Sequence, residues 1–363
     1  MTKSHELGNA HPPGFQERSM FYSTLHDRVN HGLRPENRWG AGNSQKKAVI
    51  LLSAYVANLF ALINVSIPLA QVALFICWGV IHAGVGFNIF HDSIHGSFAK
   101  SHLGNRALAF LSCSMLGVSR FFWYQKHNVL HHRYSNVQGW DDDLETRGSL
   151  RVSPAQPWSV RYRFQHIYAP LIYALTTLEW IFIKDFIQYF TCRMNRYQSI
   201  PPMNKYDHME FWASKAAYFL IVIALPLHVM PSGYFILGFA SLHVTLSLTL
   251  ASIFQLAHVT TLCTFPEPDS DSGMLNSDWA VHQMNTTADF STRNRWLTWF
   301  SGGLNFQVEH HLFPRVSHVH YPMISKILVK TAKEFNVPYH SYPTYFGALS
   351  GHLQALKSLS VPA

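Results

Sequence analysis

The chain has 363 residues, of which 48% are hydrophobic, 14% aromatic and 13% charged. Soluble domains carry about 25% charged residues, so half that level argues against a wholly soluble protein, and the aromatic content excludes a disordered one. The formal charge of +8 comes without a long basic run; the longest, Lys46-Lys47, directly precedes an apolar stretch, which points to a membrane surface and away from nucleic acid.

Residues 1–47 form a polar segment without the apolar core of a signal peptide, and His5, His11, His26 and His31 are expected to be solvated there. Four stretches then approach the roughly 20 apolar residues a membrane helix needs: 48–66, 69–90, 211–230 and 233–258. The connections within each pair contain no Lys or Arg, whereas residues 1–47 carry 7, residues 96–210 carry 13 and the tail after His258 carries 7. By the positive-inside rule those three regions face the cytoplasm. Residues 168–190 are apolar but contain Glu179, Lys184 and Asp185, and residues 107–117 are too short to span. Both are expected at the interface or as re-entrant hairpins. The predicted fold is therefore an all-α integral membrane domain over 48–363. It has four spans and a cytoplasmic helical cap built from 91–210 and 259–363. Cys77, Cys113, Cys192 and Cys263 form no C-x-x-C pair and imply no disulfide framework.

Histidine is the outlier, at 23 residues against 20 Asp plus Glu. The placement is uneven. His91-Asp92-Ser93-Ile94-His95 ends the second span, and His258 ends the fourth. His127-Asn128-Val129-Leu130-His131-His132 lies in the cap, as does Gln307-Val308-Glu309-His310-His311. Spacings of three to five residues put each set on one helix face. Eight imidazoles meeting at one membrane depth suit two metal ions, because neutral imidazole is a common ligand of iron, zinc and copper. His82 and His243 lie about 13 Å and 22 Å along their helices from His91 and His258. They are expected to bond between helices; His282, His318 and His320, flanking the third box, are expected to serve the fold, with support behind the ligands as the alternative. Neutral ligands leave the ions' charge uncompensated, so carboxylates are expected behind the imidazoles: Asp92 first, with Glu309 and Asp278. Asp141–Asp143 read equally well as a solvated turn.

The three boxes, H-D-x-x-H, H-x-x-x-H-H and Q-x-x-H-H, resemble those of the membrane fatty acid desaturases. The resemblance extends to Trp279–Asp289 with its Thr286-Thr287 pair, to Gly302-Gly303-Leu304-Asn305-Phe306-Gln307 and to His311-Leu312-Phe313-Pro314, and covers roughly residues 15–360. Gln307, in place of the first histidine of the third box, is similar to the front-end branch. The resemblance implies a non-haem diiron centre on His91, His95, His127, His131, His132, His258, His310 and His311. Gln307 would be a weak or water-mediated ligand. Some branches have an asparagine one turn before the His258 position; here Phe254 stands there.

The implied reaction is O2-dependent dehydrogenation of a fatty acyl chain, with no side-chain acid or base beyond the metal centre. The electron donor would be a separate protein, ferredoxin or a ferredoxin-like reductase. No G-x-G-x-x-G follows a strand, and His11-Pro12-Pro13-Gly14 is too near the first span to belong to a haem domain, so no haem, flavin or nicotinamide domain is expected. Phe121-Phe122-Trp123-Tyr124 with Arg120, Lys126 and Arg133 reads either as a head-group rim or as an aromatic belt. Hydroxylation or alkyne formation on the same centre is an alternative outcome. A histidine-rich metal transporter is a more distant one, because the spans hold no carboxylate at mid-depth.

Overall fold

The computed structural model describes residues 12–40 and 42–362; the expectations for His5 and His11 fall outside them. Helix α1 (Met20–Gly32) buries Phe21, Leu25 and Val29, one face at a spacing of four. Two helices long and apolar enough to cross a membrane follow, α2 (Asn43–Asn64) and α3 (Pro68–His95). Pro68 opens α3 at a first-turn position that needs no N–H. Helix α4 (His102–Leu116) then turns by 111° into α5 (Arg120–Tyr134), and α6 (Val160–Ala174) by 54° into α7 (Thr176–Thr191). Two further spanning helices are α8 (Lys205–Val229) and α9 (Ser232–His258). The cap ends the chain, with α10 (Trp279–Thr286), α11 (Arg295–Phe300), α12 (Gln307–Leu312), α13 (Tyr321–Glu334) and α14 (Tyr345–Ser358). A two-residue parallel pair, β1 (Asp289–Phe290) with β2 (Ser341–Tyr342), is the strand pairing among the described residues.

The four spanning helices cover the apolar windows, each starting before its window, while α2 stops at Asn64 and α8 at Val229. Neither 107–117 nor 168–190 lies in a straight crossing helix. Gly117 makes the sharp turn after α4: its φ is +74°, and a Cβ there would meet the Tyr218 ring at 2.7 Å. The buried Lys215 of α8 braces the same turn, donating to Gly117 O at 2.7 Å, Ile181 O at 2.9 Å and Asp185 at 2.7 Å. Charge within this span is therefore paired with a carboxylate from α7 rather than led out to water.

The described part of the N-terminal segment is no free arm. Phe21, Leu25 and Val29 belong to the same buried cluster as Ile324 and Leu328 of α13, with Phe306, Val308 and Leu312 around the third box. His82 and His243 hold helices together, as their depth implied. His82 bonds Trp78 O at 2.7 Å and Met115 O at 3.1 Å; His243 bonds Thr177 Oγ1 at 2.8 Å and Tyr218 OH at 2.9 Å.

Candidate metal centre

Each histidine box sits on backbone that departs from, or ends, a regular helix. In α3, residues Gly86–Phe90 are wound as a π-helix directly before His91. In α5, residues Gln125–His131 are likewise π-helical. Bonds to the fifth residue widen the turn, so His131 and His132 straddle the line of His127. Their ring centroids stand 5.3 Å and 4.7 Å from it. The six-residue α12 is held at its start by Asp289, whose carboxylate accepts from Val308 N at 2.9 Å. The turn before α12 lies against α3. Gly302 has φ +61°, and a Cβ there would stand 2.5 Å from Phe87 O.

The eight histidines come together, and all are buried. Ring nitrogens of His91, His95, His127 and His310 lie within 4.8 Å of one another, as do those of His131, His258 and His311. His132 stands between the sets, 4.5 Å from the His310 ring and 4.4 Å from that of His311. Nε2 of His127 is 3.2 Å from Nε2 of His91 and 3.2 Å from Nε2 of His132. Two nitrogens at roughly 2.0–2.1 Å from one ion are about 3 Å apart, so this spacing is that of shared coordination.

The arrangement fits metal ions. Nε2 of His95, His310 and His311 is buried with no hydrogen-bond partner, a state that costs about 1–3 kcal/mol per group unless something fills it. Burial and then the neighbouring imidazoles hold His310 and His311 well below the usual histidine pKa, so both present lone pairs. Neutral nitrogen donors suit iron, zinc or copper, not magnesium or calcium.

The Nδ1 sides fix the rings. His131 faces Asp141 at 3.1 Å and Asp143 at 3.2 Å. His310 bonds Tyr321 OH at 3.1 Å, His311 bonds Gln283 Oε1 at 2.8 Å, and His258 faces Thr286 O at 3.3 Å. Asp92 stands 3.7 Å from Nδ1 of His91 and 2.8 Å from His318, whose other nitrogen meets Lys47 at 2.8 Å. Gln307 Nε2 lies 3.0 Å from His258 Nε2, and its Oε1 is buried without a partner.

Of the carboxylates expected behind the imidazoles, Asp92 is there. Asp278 is not: it caps α10, accepting from Ala280 N at 2.8 Å and Val281 N at 3.1 Å. Glu309 turns from the histidines toward Asp289. Burial and the Asp289 charge push its carboxyl well above the usual range, while burial pushes Asp289 up to about 6. Asp141, equally readable as part of a solvated turn, is fully buried against His131. Gln283 and Lys47 carry no local signal of their role, lying 28 and 271 positions from their partners, whereas Tyr321 is 11 positions from His310.

An elongated cavity runs from His91, His127 and His258 between α3, α5, α7 and α9. Its walls are mostly apolar, among them Phe90, Trp123, Trp180, Leu250 and Phe254, with Lys126, Asn136 and Asp143 also in the lining. It reaches Ser247, eleven residues before His258, about 16 Å along α9. Phe254 is therefore cavity wall and offers no ligand atom. The stretch expected as a rim or belt divides: Tyr124 is exposed and Phe121 half-buried, and the rest turns inward. Phe122 and Trp123 are buried, Trp123 stacks on His127 at 4.1 Å, and Arg120 is tied to Asp207 and Glu210.

This is a membrane-embedded helical fold with a buried histidine cluster at the head of an apolar cavity, the plan of an oxidoreductase for long apolar chains. The chain belongs to the fatty acid desaturase family, whose model matches residues 66–343, and it is an enzyme of that class. An acyl-lipid (8-3)-desaturase of Physcomitrium patens is 36% identical over 87% of this chain, which spans 66% of that protein's length. An sn-1 linoleoyl-lipid 6-desaturase of Synechocystis sp. is 32% identical over 95% of this chain and 97% of its own. One of the same name from Arthrospira platensis is 33% identical over 94% and 93%. Family membership sets the transporter reading aside.

Proposed function

We propose that this chain is an acyl-lipid desaturase. In this reading it inserts a double bond into a fatty acyl chain at two iron ions, taking electrons from a separate donor. The observation that carries it is the cavity that leads from His91, His127 and His258 into the membrane-level core. The names of the relatives support a glycerolipid as carrier of the chain. The ions would be held by His91, His95, His127 and His310 on one side and by His131, His258 and His311 on the other, with His132 between them and Gln307 as a weaker donor. Two irons bound there would supply the oxidising power to remove hydrogen from unactivated methylenes. The balance is one O2, two electrons and two protons in, with two hydrogens from the chain, and two waters out.

The protein's part is placement. Phe90 and Trp123 press the wall of the cavity against His91 and His127, so a chain in it would run beside the imidazoles. Holding adjacent methylenes in reach replaces a diffusional encounter with a fixed geometry. Asp92 beside His91, and Asp141 and Asp143 beside His131, would offset the charge of bound ions. The cap and both termini are assigned to the cytoplasmic side, because the short turns after α2 and α8 carry no Lys or Arg.

The test is expression in a host without polyunsaturated lipids, with wild type beside His131→Ala, and mass spectrometry of the fatty acids. New double bonds from wild type alone are expected. Unchanged lipids from both, despite a competent donor, would sink the proposal, and a product heavier by one oxygen would replace it with hydroxylation.

A further inference from the structure

The cap carries a second groove, bounded by α1, α10 and residues 312–316, and none of its lining comes from a spanning helix. Tyr22, Trp279 and Phe313 line its floor, and the exposed Arg38 and Arg315 its rim. No carboxylate lines it among the described residues, and neither arginine has a carboxylate partner there. Two of the aromatics are bonded to the backbone of the histidine segments. Trp279 Nε1 donates to the carbonyl of His132 at 3.1 Å. Tyr22 OH donates at 3.4 Å to the carbonyl of Leu312, the residue after His311. The rings of Tyr22 and Trp279 meet edge to face at 5.4 Å. A cationic, aromatic, water-facing groove thus lies one hydrogen bond from two segments that hold the centre.

We infer that this groove is the docking surface for the electron donor, a small acidic one-electron iron–sulfur protein. The inference rests on the proposed desaturase function, which needs two electrons per double bond and so two successive donor molecules, each oxidised by one electron. Arg38 and Arg315 would meet carboxylates on the donor, and charge complementarity of this kind raises the rate of encounter and fixes orientation. Tyr22, Trp279 and Phe313 would form the dry centre of the contact, where aromatic residues dominate binding. A second basic groove, with Arg147, Arg161 and Arg193, adjoins α7 instead. Ile187 in its lining is exposed, as are Val160 and Phe164 close in sequence to Arg161, which suits lipid contact better than a water-soluble protein.

The test uses the full chain in nanodiscs and a plant-type [2Fe–2S] ferredoxin as probe. Binding of oxidised ferredoxin to the metal-free chain is measured by calorimetry, so the readout does not depend on catalysis. Arg38→Glu/Arg315→Glu is expected to weaken binding at least tenfold and to raise the ferredoxin concentration for half-maximal desaturation in parallel. Single-turnover desaturation driven by dithionite is expected to stay unchanged, which shows that the variant folds. Arg161→Glu/Arg193→Glu is expected to bind as wild type does. Unchanged affinity in the first double variant, an equal loss in the second, or a loss that tracks the anionic-lipid content of the nanodisc overturns the assignment. Failure of the desaturase reading itself is read separately, as tight ferredoxin binding without any new double bond.

Discussion

Gln283 Oε1 accepts a hydrogen bond from Nδ1 of His311 at 2.8 Å, with both side chains fully buried. This bond sets the tautomer of His311 and turns its Nε2 to the other imidazoles. Partners of this kind typically contribute 10–100-fold in metal affinity. Gln283→Leu is expected to lose metal in that range, whereas Gln283→Glu, which keeps an acceptor, retains it. Metal content after purification, by plasma mass spectrometry, checks both.

Asp141 does two jobs. It accepts from His131 at 3.1 Å and also from Asn136 N at 2.8 Å and Asp143 N at 3.0 Å. Asp141→Asn keeps oxygen for the turn but removes the charge behind His131, so activity is expected to fall more than stability. Asp141→Ala leaves buried N–H groups unpaired and is expected to cost about 1–3 kcal/mol for each. Thermal midpoints beside product yield separate the two effects.

The turn at Gly302, which leads into the third box, packs closely on α3. Gly302→Ala would place a methyl group 2.5 Å from Phe87 O at a φ of +61°. Strain at such a position costs of order 1–3 kcal/mol before the clash is counted. A lower thermal midpoint together with lower metal content is expected, since the turn carries Gln307, His310 and His311. A variant with a normal midpoint would show that α3 can give way.

Depth of the cavity is open to direct change. Leu250 lines it between Phe254 and Ser247, so Leu250→Trp is expected to close its far part. The fatty acid profile should then shift toward shorter chains, with total turnover on those retained. Equal use of long chains by the variant would count against the cavity as the acyl site.

Buried histidines give the metal-free chain a pH dependence, and two of them, His282 and His352, are not among the eight of the cluster. Burial pushes His282 and His352 each down to about 4. Unfolded, each titrates near 6.5. Between those values the unfolded chain binds protons that the folded chain refuses, so stability falls as the pH drops from 6.5 toward 4. Above 6.5 the pair contributes no slope. Thermal midpoints of metal-free protein from pH 8 to pH 4 check this, and His352→Gln should flatten the acid side.

Local pattern by itself determined a good deal. A nearly charge-free apolar window of about 20 residues marks a candidate span, and imidazoles three to five residues apart share a helix face wherever that helix lies. The four spans, the box positions and the inward roles of His82 and His243 follow from these short-range rules. Only the tertiary structure decided which groups stand behind the imidazoles. Asp92 meets His318 across 226 positions and Lys47 meets His318 across 271. Asp278, between His258 and the third box in sequence, went to a helix cap, and Glu309 turned to a second carboxyl. The π-helical winding at Gly86–Phe90 and Gln125–His131 is equally invisible in composition. A buried polar atom takes whichever partner packing brings within about 3 Å, and packing sums contacts from the whole chain. The histidines announce themselves by spacing, while the residues that aim them are chosen by the fold.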